Sequence, residues 1–288
     1  MKVSEAVGGK VPALSFEFFP PKTPEQESDL YATLAQLIQY KPDFVSVTYG
    51  AMGNNRERTF YWVREIKEKF FIDPLVHLTC INADKTSISK QLDELDFMGI
   101  NNILALRGDP PAEAKDFTPP PDGFSFAKDL IAFIKQKKPE FCVGAAGFPE
   151  GHPGAASAAA DVQHLKQKVE AGAEFVISQL FFDNRYFFDY VTRCRTEGIY
   201  LPIVPGIMPI TSLKQVKKMT EICGATVPAT LLDKMEKHKA DKKAIEQVGV
   251  ELAVAQCREL IAAEVPGLHF FVMNQAGPIS RILKELRK

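Results

Sequence analysis

The sequence lacks the features that mark exported, membrane-bound and nucleic-acid-binding proteins. Residues 1–12 carry charge and glycine where a signal peptide would need an apolar stretch. The uncharged stretch 199–213 contains three prolines and is shorter than the roughly 20 apolar residues that span a bilayer. Because its 35 basic and 36 acidic side chains are mixed along the chain, no basic surface is expected to bind nucleic acid. We therefore expect a cytoplasmic protein that binds neither membranes nor nucleic acid.

Cysteine is scarce, and glycine-rich nucleotide motifs are missing. The five cysteines include no C-x-x-C pair, so neither a zinc site nor a redox pair is indicated, and reduced thiols are expected. The sequence contains neither the G-x-G-x-x-G of a Rossmann fold nor a P-loop motif. A nucleotide cofactor would therefore have to be held by loops that follow the strands.

Short apolar segments that alternate with helical patterns predict the fold. Strands that are apolar on both faces favour a parallel sheet. Eight repeats of strand and helix fit an α/β fold closed into a (β/α)8 TIM barrel better than an open doubly wound sheet. The strands, rich in β-branched and aromatic residues, are expected at 13–20, 44–50, 75–80, 103–108, 142–148, 175–182, 201–207 and 269–274.

Helical spacing of apolar residues fills the segments between these strands. In the first helix, Thr23 is the expected N-cap, Pro24 the first helical residue, and Gln26 completes a capping box. The segment 223–268 is too long for one connection, which predicts extra helices before the last strand. The other helices are expected at 56–70, 86–98, 123–138, 156–171, 184–197, 212–222 and 278–287.

Polar residues inside the apolar strands are the candidate site residues, because active sites of such barrels lie at the carboxyl ends of the strands. Glu17 lies between Phe16 and Phe18, so burial is expected to raise the pKa of its carboxyl and to favour the protonated acid. It could then donate a proton, or it could pair with Arg107 across the barrel. Gln179, an amide within a strand, needs polar partners that either a ligand or the protein could supply.

Other candidates are ambiguous when taken singly. His77 could face a ligand or donate to a backbone carbonyl in the core. Arg107 and Asp109 flank a glycine after the fourth strand and could form a turn with an ion pair. Small residues at 154–160 precede a helix that carries Asp161 and Lys168. They would let a bulky ligand or a pyrophosphate approach, although the same composition suits a close-packed helix.

Taken together, these segments resemble the methylenetetrahydrofolate reductase family. The similarity extends from about residue 13 to about residue 275 and covers the catalytic barrel, without the regulatory domain of eukaryotic members. It implies a single catalytic domain over residues 1–288. The matching blocks, in the family's order, are SFEFFPPKT (15–23), DFVSVTYGA (43–51), HLTC (77–80), ALRGDPP (105–111), GFPEGHP (147–153), QLFFD (179–183), PGIMPI (205–210) and LHFFVMN (268–274).

The resemblance implies a reaction and a cofactor. FAD would lie at the barrel mouth, NADH or NADPH would reduce it, and 5,10-methylenetetrahydrofolate would be reduced to 5-methyltetrahydrofolate in a ping-pong cycle through one shared site. Glu17 would be the general acid, Asp109 would contact pterin and flavin, and Gln179 would serve folate and nicotinamide in turn. Gln215 and Gln275 would help to hold the folate. A homo-oligomer is also implied.

The same resemblance implies a set of flavin contacts, some of which depart from the family's usual residues. Phe126 and Phe148 lack a hydroxyl that is common there, while His164 and Gln167 replace the usual asparagine and arginine near the phosphates. Flavin binding is expected to differ in detail. The implied contacts are Thr48, Tyr49, Ala51, His77, Arg107, Gly108, Asp109, Phe126, Ala127, Phe148, His152, Ala155, Asp161, His164, Gln167 and Lys168.

Gln275 departs from the family pattern at the folate end, where arginine is usual. A charge-assisted contact would become a neutral one. Either another basic residue such as Arg281 supplies the charge, or the folate is bound more weakly.

Two other functions remain open at this point. A pterin-binding methyltransferase barrel would recognise folate but transfer a methyl group without flavin. A flavin-binding subunit could instead receive electrons from a partner protein, with no need of NADH or NADPH.

Overall fold

A computed structural model describes residues 1–49, 56–108 and 119–288. In these residues, eight parallel strands close into one barrel, and strands that follow each other in the chain are neighbours in the sheet. This confirms the predicted (β/α)8 barrel and each predicted strand. The strands are β1 (Ala13–Phe18), β2 (Phe44–Val47), β3 (Pro74–Thr79), β4 (Asn102–Leu106), β5 (Cys142–Gly147), β6 (Phe175–Leu180), β7 (Ile203–Ile207) and β8 (Gly267–Phe271).

Helices surround the barrel, and two of them confirm the extra helices predicted before the last strand. A 3₁₀ turn (Ile38–Tyr40) follows the helix that ends at Leu37, and a π-helical turn (Ile66–Phe70) follows the helix that ends at Glu65. The helices are α1 (Val3–Val7), α2 (Pro24–Leu37), α3 (Arg56–Glu65), α4 (Lys85–Phe97), α5 (Ala127–Lys137), α6 (Ala158–Glu170), α7 (Asn184–Thr196), α8 (Leu213–Cys223), α9 (Ala229–Lys237), α10 (Lys242–Ala262) and α11 (Ala276–Leu286).

The start of α2 agrees with the sequence prediction in one hydrogen bond and differs in the other. Thr23 is the N-cap, and its side chain accepts the backbone N–H of Gln26. The Gln26 side chain, however, accepts the N–H of Lys22 at 2.8 Å. The predicted capping box is therefore wrong in its second bond, because the glutamine reaches one residue beyond the N-cap.

The five-residue helix α1, which the sequence analysis did not predict, packs against the amino-terminal end of the barrel. The backbone N–H of Val3 donates to Oδ1 of Asn102 at 2.9 Å, at the start of β4. A helix of five residues is too short to show a periodic pattern, so no sequence signal marked it. Val3 and Val7 join a cluster that we call the barrel floor, together with Ala13, Phe44, Leu75, Leu104, Cys142, Phe175, Ile177 and Val204.

Along the first three strands, side chains on one face change from apolar to polar toward the carboxyl end. Residues two apart in a strand point to the same face, so a polar layer lies directly above the barrel floor. This polar layer is a candidate place for chemistry, because the apolar barrel floor beneath it excludes water from the amino-terminal side. The three series are Ala13, Ser15 and Glu17 in β1; Phe44, Ser46 and Thr48 in and after β2; and Leu75, His77 and Thr79 in β3.

The described helices include none that is both long and apolar enough to cross a bilayer. The five cysteines are buried and form no disulfide bond: Cys80, Cys142, Cys194, Cys223 and Cys257.

Candidate active site at the carboxyl end of the barrel

A cavity of about 700 Å³ opens at the carboxyl ends of the strands, a volume typical of small-molecule and cofactor sites. The structure brings together every predicted cofactor residue that it describes. Two others, Ala51 and Asp109, lie outside the described residues. The fourteen that line the cavity are Thr48, Tyr49, His77, Arg107, Gly108, Phe126, Ala127, Phe148, His152, Ala155, Asp161, His164, Gln167 and Lys168.

The cavity wall combines apolar surface with polar atoms that have no protein partner. Ala105, Leu106 and Ala146 contribute apolar wall at the ends of β4 and β5. Within the described part of the chain, two buried hydroxyl oxygens of lining residues lack a hydrogen-bond partner: Thr48 Oγ1 and Thr79 Oγ1. Proteins leave few buried polar groups unpaired. This combination fits a flat heteroaromatic ligand with polar edges.

Glu17 lies next to this cavity, 7% exposed, and touches two histidines. The Nε2 atoms of His77 and His269 lie 3.2 Å and 3.3 Å from Glu17 Oε2. The His269 contact is a hydrogen bond, whereas His77 is close without the alignment of one. Ser46, the pairing partner of Glu17 across β1 and β2, donates to the same oxygen at 3.2 Å. Side chains from three other strands, β2, β3 and β8, thus meet at one carboxylate oxygen of Glu17.

Ser15 extends this cluster by one further hydrogen bond. Its Oγ lies 2.9 Å from Nδ1 of His269. If the serine donates to Nδ1, the neutral imidazole carries its hydrogen on Nε2 and donates it to Glu17. Among the described residues, no group hydrogen-bonds to the other carboxylate oxygen of Glu17, Oε1. That oxygen is available to a substrate.

The electrostatics of Glu17 correct the sequence-based expectation. Burial raises the pKa of this carboxyl, but the electrostatic attraction of His77 and the hydrogen bond from His269 outweigh it, so the pKa is held well below its ordinary value. The expectation of a raised pKa is wrong because it considered burial without the two imidazoles. Arg107 is not the partner of Glu17, since its Nε donates to the carbonyl of Gly108.

One face of α6 forms a wall of the cavity. Asp161, His164 and Lys168 recur at spacings of three and four residues, which place them on one side of the helix, with Gln167 beside them. The Nζ of Lys168 donates to the carbonyl of Ala146 at 2.8 Å. Burial lowers the pKa of Lys168 against the attraction of Asp161, and burial likewise raises the pKa of Asp161. The pair supplies both signs of charge at the cavity wall.

Three residues expected to contact substrate lie outside this cavity lining: Gln179, Gln215 and Gln275. Gln179 is half-buried in β6, and its Oε1 accepts the N–H of Leu180 at 2.8 Å. Gln215 lies in the first turn of α8, where its Oε1 accepts both the N–H and the hydroxyl of Thr211 at 2.8 Å. The Gln215 amide is engaged at both ends, since its Nε2 also donates to the carbonyl of Pro209 at 3.4 Å, whereas only the oxygen of the Gln179 amide is engaged by a described residue.

Gln275 and Arg281 occupy different surroundings. Gln275 is the exposed N-cap of α11, directly after the carboxyl end of β8, and its side chain makes no capping hydrogen bond. Arg281 lies further along α11 and pairs with Glu246 of α10 at 2.6 Å. Its charge is therefore engaged between two outer helices.

Sequence reasoning missed the neighbours of Glu17. His269, Ser15 and Ser46 each interrupt an apolar strand, a signal that was present in the sequence. Their convergence depends on the register of three strands and on closure of the barrel, neither of which a single segment reveals. Lys128, which also lines the cavity, was missed because a lysine in a helical segment is expected to face solvent.

Comparison with known proteins agrees with this geometry. A family model described as methylenetetrahydrofolate reductase matches residues 2–287. The chain is 37% identical to 5,10-methylenetetrahydrofolate reductase of Escherichia coli over 91% of its own length and 86% of that protein. It is 35% identical to methylenetetrahydrofolate reductase (NADH) 1 of Zea mays over 99% of its length. The chain spans about half the length of this maize relative.

Solved structures share the fold at low sequence identity. An uncharacterized protein from Clostridium thermocellum that binds two copies of 5-methyl-5,6,7,8-tetrahydrofolic acid superposes with a TM-score of 0.64 at 11% identity, over 99% of this chain and 96% of that one. A 2,3-dimethylmalate lyase gives a TM-score of 0.51 at 11% identity, over 91% and 95% of the two chains. At this identity the likeness supports the barrel fold alone.

Proposed function

Because this chain belongs to the methylenetetrahydrofolate reductase family, we propose that it reduces 5,10-methylenetetrahydrofolate to 5-methyltetrahydrofolate with electrons from NADH or NADPH through bound FAD. The observation that carries the proposal is the buried Glu17 carboxylate, held by His77 and His269 beside the cavity. Ionisable groups with shifted pKa values cluster at functional sites, and the position of Glu17 beside an open cavity favours a catalytic over a purely structural role.

The lining of the cavity suits FAD. Its apolar wall would pack against the ring system, Thr48 and His77 would meet the polar edge, and the α6 face with Lys168 would meet the phosphates. When bound, FAD supplies hydride chemistry, taking a hydride from the nicotinamide and passing it to the folate. The protein's part is to position both partners and to manage the proton.

The Glu17 cluster would supply that proton. Opening the methylene bridge of the substrate requires a proton on the departing nitrogen, which a positioned acid provides. The pKa of Glu17 is lowered while it contacts His77 and His269, so the carboxylate would have to take up a proton in the complex with substrate. It would then deliver that proton through Oε1, the oxygen to which no described residue hydrogen-bonds.

The remaining assignments concern the substrates. Gln179, whose Oε1 is held by the N–H of Leu180, would donate from its amide nitrogen to folate or nicotinamide in turn, which suits a ping-pong cycle through one shared site. Asp109 would contact pterin and flavin, while Gln215 and Gln275 would hold the outer part of the folate. A homo-oligomeric state stays a prediction.

The proposal is tested by colour and by two half-reactions under anaerobic conditions. Purified protein should be yellow, should bleach on addition of NADH or NADPH, and should regain its colour when 5,10-methylenetetrahydrofolate is added. Yellow protein that bleaches with neither nucleotide would favour the partner-dependent flavin subunit. Colourless protein that binds no added FAD would overturn the proposal and leave the methyltransferase alternative.

A further inference from the structure

Lys128 is a cation at the cavity that was not among the predicted site residues. It is the second residue of α5, is half-buried and lines the cavity. Its Nζ donates to Oε1 of Gln167 on α6 at 2.9 Å. No carboxylate among the described residues forms an ion pair with it. The ammonium is thus held at the cavity by a neutral amide and lies 5.9 Å from the centre of the Phe126 ring, with no carboxylate partner in the described part of the chain.

The cavity around Lys128 favours an anion. Among the described lining residues, Asp161 is the single carboxylate, whereas Arg107, Lys128 and Lys168 are cations. With every histidine neutral, the described side chains of the lining therefore carry more positive than negative charge. A low-dielectric cavity of one sign attracts a ligand group of the opposite sign.

Lys128 is better placed than Lys168 to supply new bonds to that anion. Lys168 already donates to the carbonyl of Ala146, and its charge is partly offset by Asp161. An ammonium has three hydrogens, and Lys128 uses one of them on Gln167. The other two hydrogens of the Lys128 ammonium remain available to donate to phosphate oxygens.

We propose that Lys128, positioned by Gln167, is a cofactor-binding residue that contacts the diphosphate of FAD. The inference rests on the proposed function, because it takes FAD as the occupant of the cavity. It also explains how a neutral glutamine can stand at position 167, where the family resemblance leads one to expect arginine. The cation reaches the same place from the neighbouring helix α5.

Equilibrium binding of flavins to protein freed of cofactor tests the proposal. Flavin fluorescence is titrated for the wild-type chain and for Lys128→Met, which keeps an unbranched side chain and removes the charge. FAD is compared with riboflavin, which lacks phosphate. We expect the Kd for FAD to rise about 10-fold at low salt, the size expected from loss of a charge-assisted contact, with the Kd for riboflavin unchanged. The salt dependence of FAD binding should also weaken.

Two further variants make the result specific. Lys137→Met removes a lysine from the same helix that does not line the cavity, and it should bind FAD like the wild type. Adding Gln167→Arg to Lys128→Met should recover FAD affinity by restoring a cation at the same place. Unchanged FAD affinity in Lys128→Met, or an equal loss for FAD and riboflavin, would overturn the role of Lys128. A wild-type chain that binds no FAD would instead overturn the proposed function.

Discussion

His269 Nε2 lies 3.3 Å from Glu17 Oε2, although the two residues are 252 positions apart in the chain. The contact exists because β8 pairs with β1 and closes the barrel, with Ser15 opposite His269 and Glu17 opposite Phe271. His77 reaches the same oxygen from β3. The cluster is therefore present only in the folded barrel, and the low pKa of Glu17 is a property of that fold.

Glu17→Gln should separate the two half-reactions. The amide keeps the shape of the side chain but cannot deliver a proton, so FAD content and flavin reduction by NADH or NADPH should stay close to wild type. Reoxidation by the folate should slow by about 100-fold to 10,000-fold, the usual range for loss of a general acid. Stopped-flow absorbance of the flavin measures both steps. Equal losses in the two steps would contradict the assignment, and Ser46→Ala, which keeps the carboxylate, should affect reoxidation much less.

The stability contributed by Glu17 should depend on pH in a defined direction. The folded-state pKa is lowered from an ordinary value of 4.5, so the folded protein favours the carboxylate more than the unfolded chain does. This contribution is present above about pH 4.5 and is lost as the pH falls below that value toward the folded-state pKa. In urea unfolding, the difference in free energy between wild type and Glu17→Gln should shrink as the pH falls from about 5 to about 3.5. A difference that grows in acid would show that the pKa of Glu17 is raised.

Removing apolar volume from the barrel floor should destabilise the protein. Val7 of α1 is 2% exposed and packs in the floor cluster, whereas Val11 is 77% exposed. Val7→Ala should lower the free energy of unfolding by about 1–2 kcal/mol, from the lost burial of two methyl groups and the space left behind. Val11→Ala is the matched control and should change it by less than about 0.5 kcal/mol. Similar effects of the two substitutions would mean that α1 contributes no packing to the floor.

Gly144 allows the ring of Phe175 to fill the floor. A Cβ at position 144 would lie 2.3 Å from Cζ of this ring, so Gly144→Ala should cost about 1–3 kcal/mol through overpacking. Gly277→Ala provides the control, because nothing lies within 4 Å of its added Cβ in α11. Alanine should there stabilise the helix by up to about 1 kcal/mol. Thermal unfolding should move in opposite directions for the two variants, and a rise for both would rule out the close contact.

Gln275→Arg should strengthen folate binding. Gln275 is exposed at the start of α11, and a guanidinium there could make a charge-assisted contact with an anionic group of the folate. The KM for 5,10-methylenetetrahydrofolate should fall about 3-fold to 10-fold at low salt, with the rate of flavin reduction unchanged. Gln275→Glu, which adds the opposite charge, should raise this KM. If neither charge alters KM, the folate does not reach position 275.

The sequence by itself determined the architecture of this protein. Apolar segments such as 175–182 are strands because they are short, rich in β-branched and aromatic residues, and bounded by helical patterns. Eight such repeats are enough to predict a closed parallel barrel, and the carboxyl ends of its strands then locate the site. The individual cofactor residues, from Thr48 to Lys168, were implied by the resemblance to the methylenetetrahydrofolate reductase family, and those that the structure describes line one cavity.

Only the tertiary structure decided the charge state of Glu17 and the partners of the polar side chains. The strand pattern indicates that Glu17 is buried, but His77 and His269 reach it through strand register and through closure of the barrel between β1 and β8. Lys128 meets Gln167 only because two neighbouring helices pack side by side. Interactions between charges depend on distances of a few ångströms, and such distances between remote segments are set by packing, which local sequence patterns do not specify.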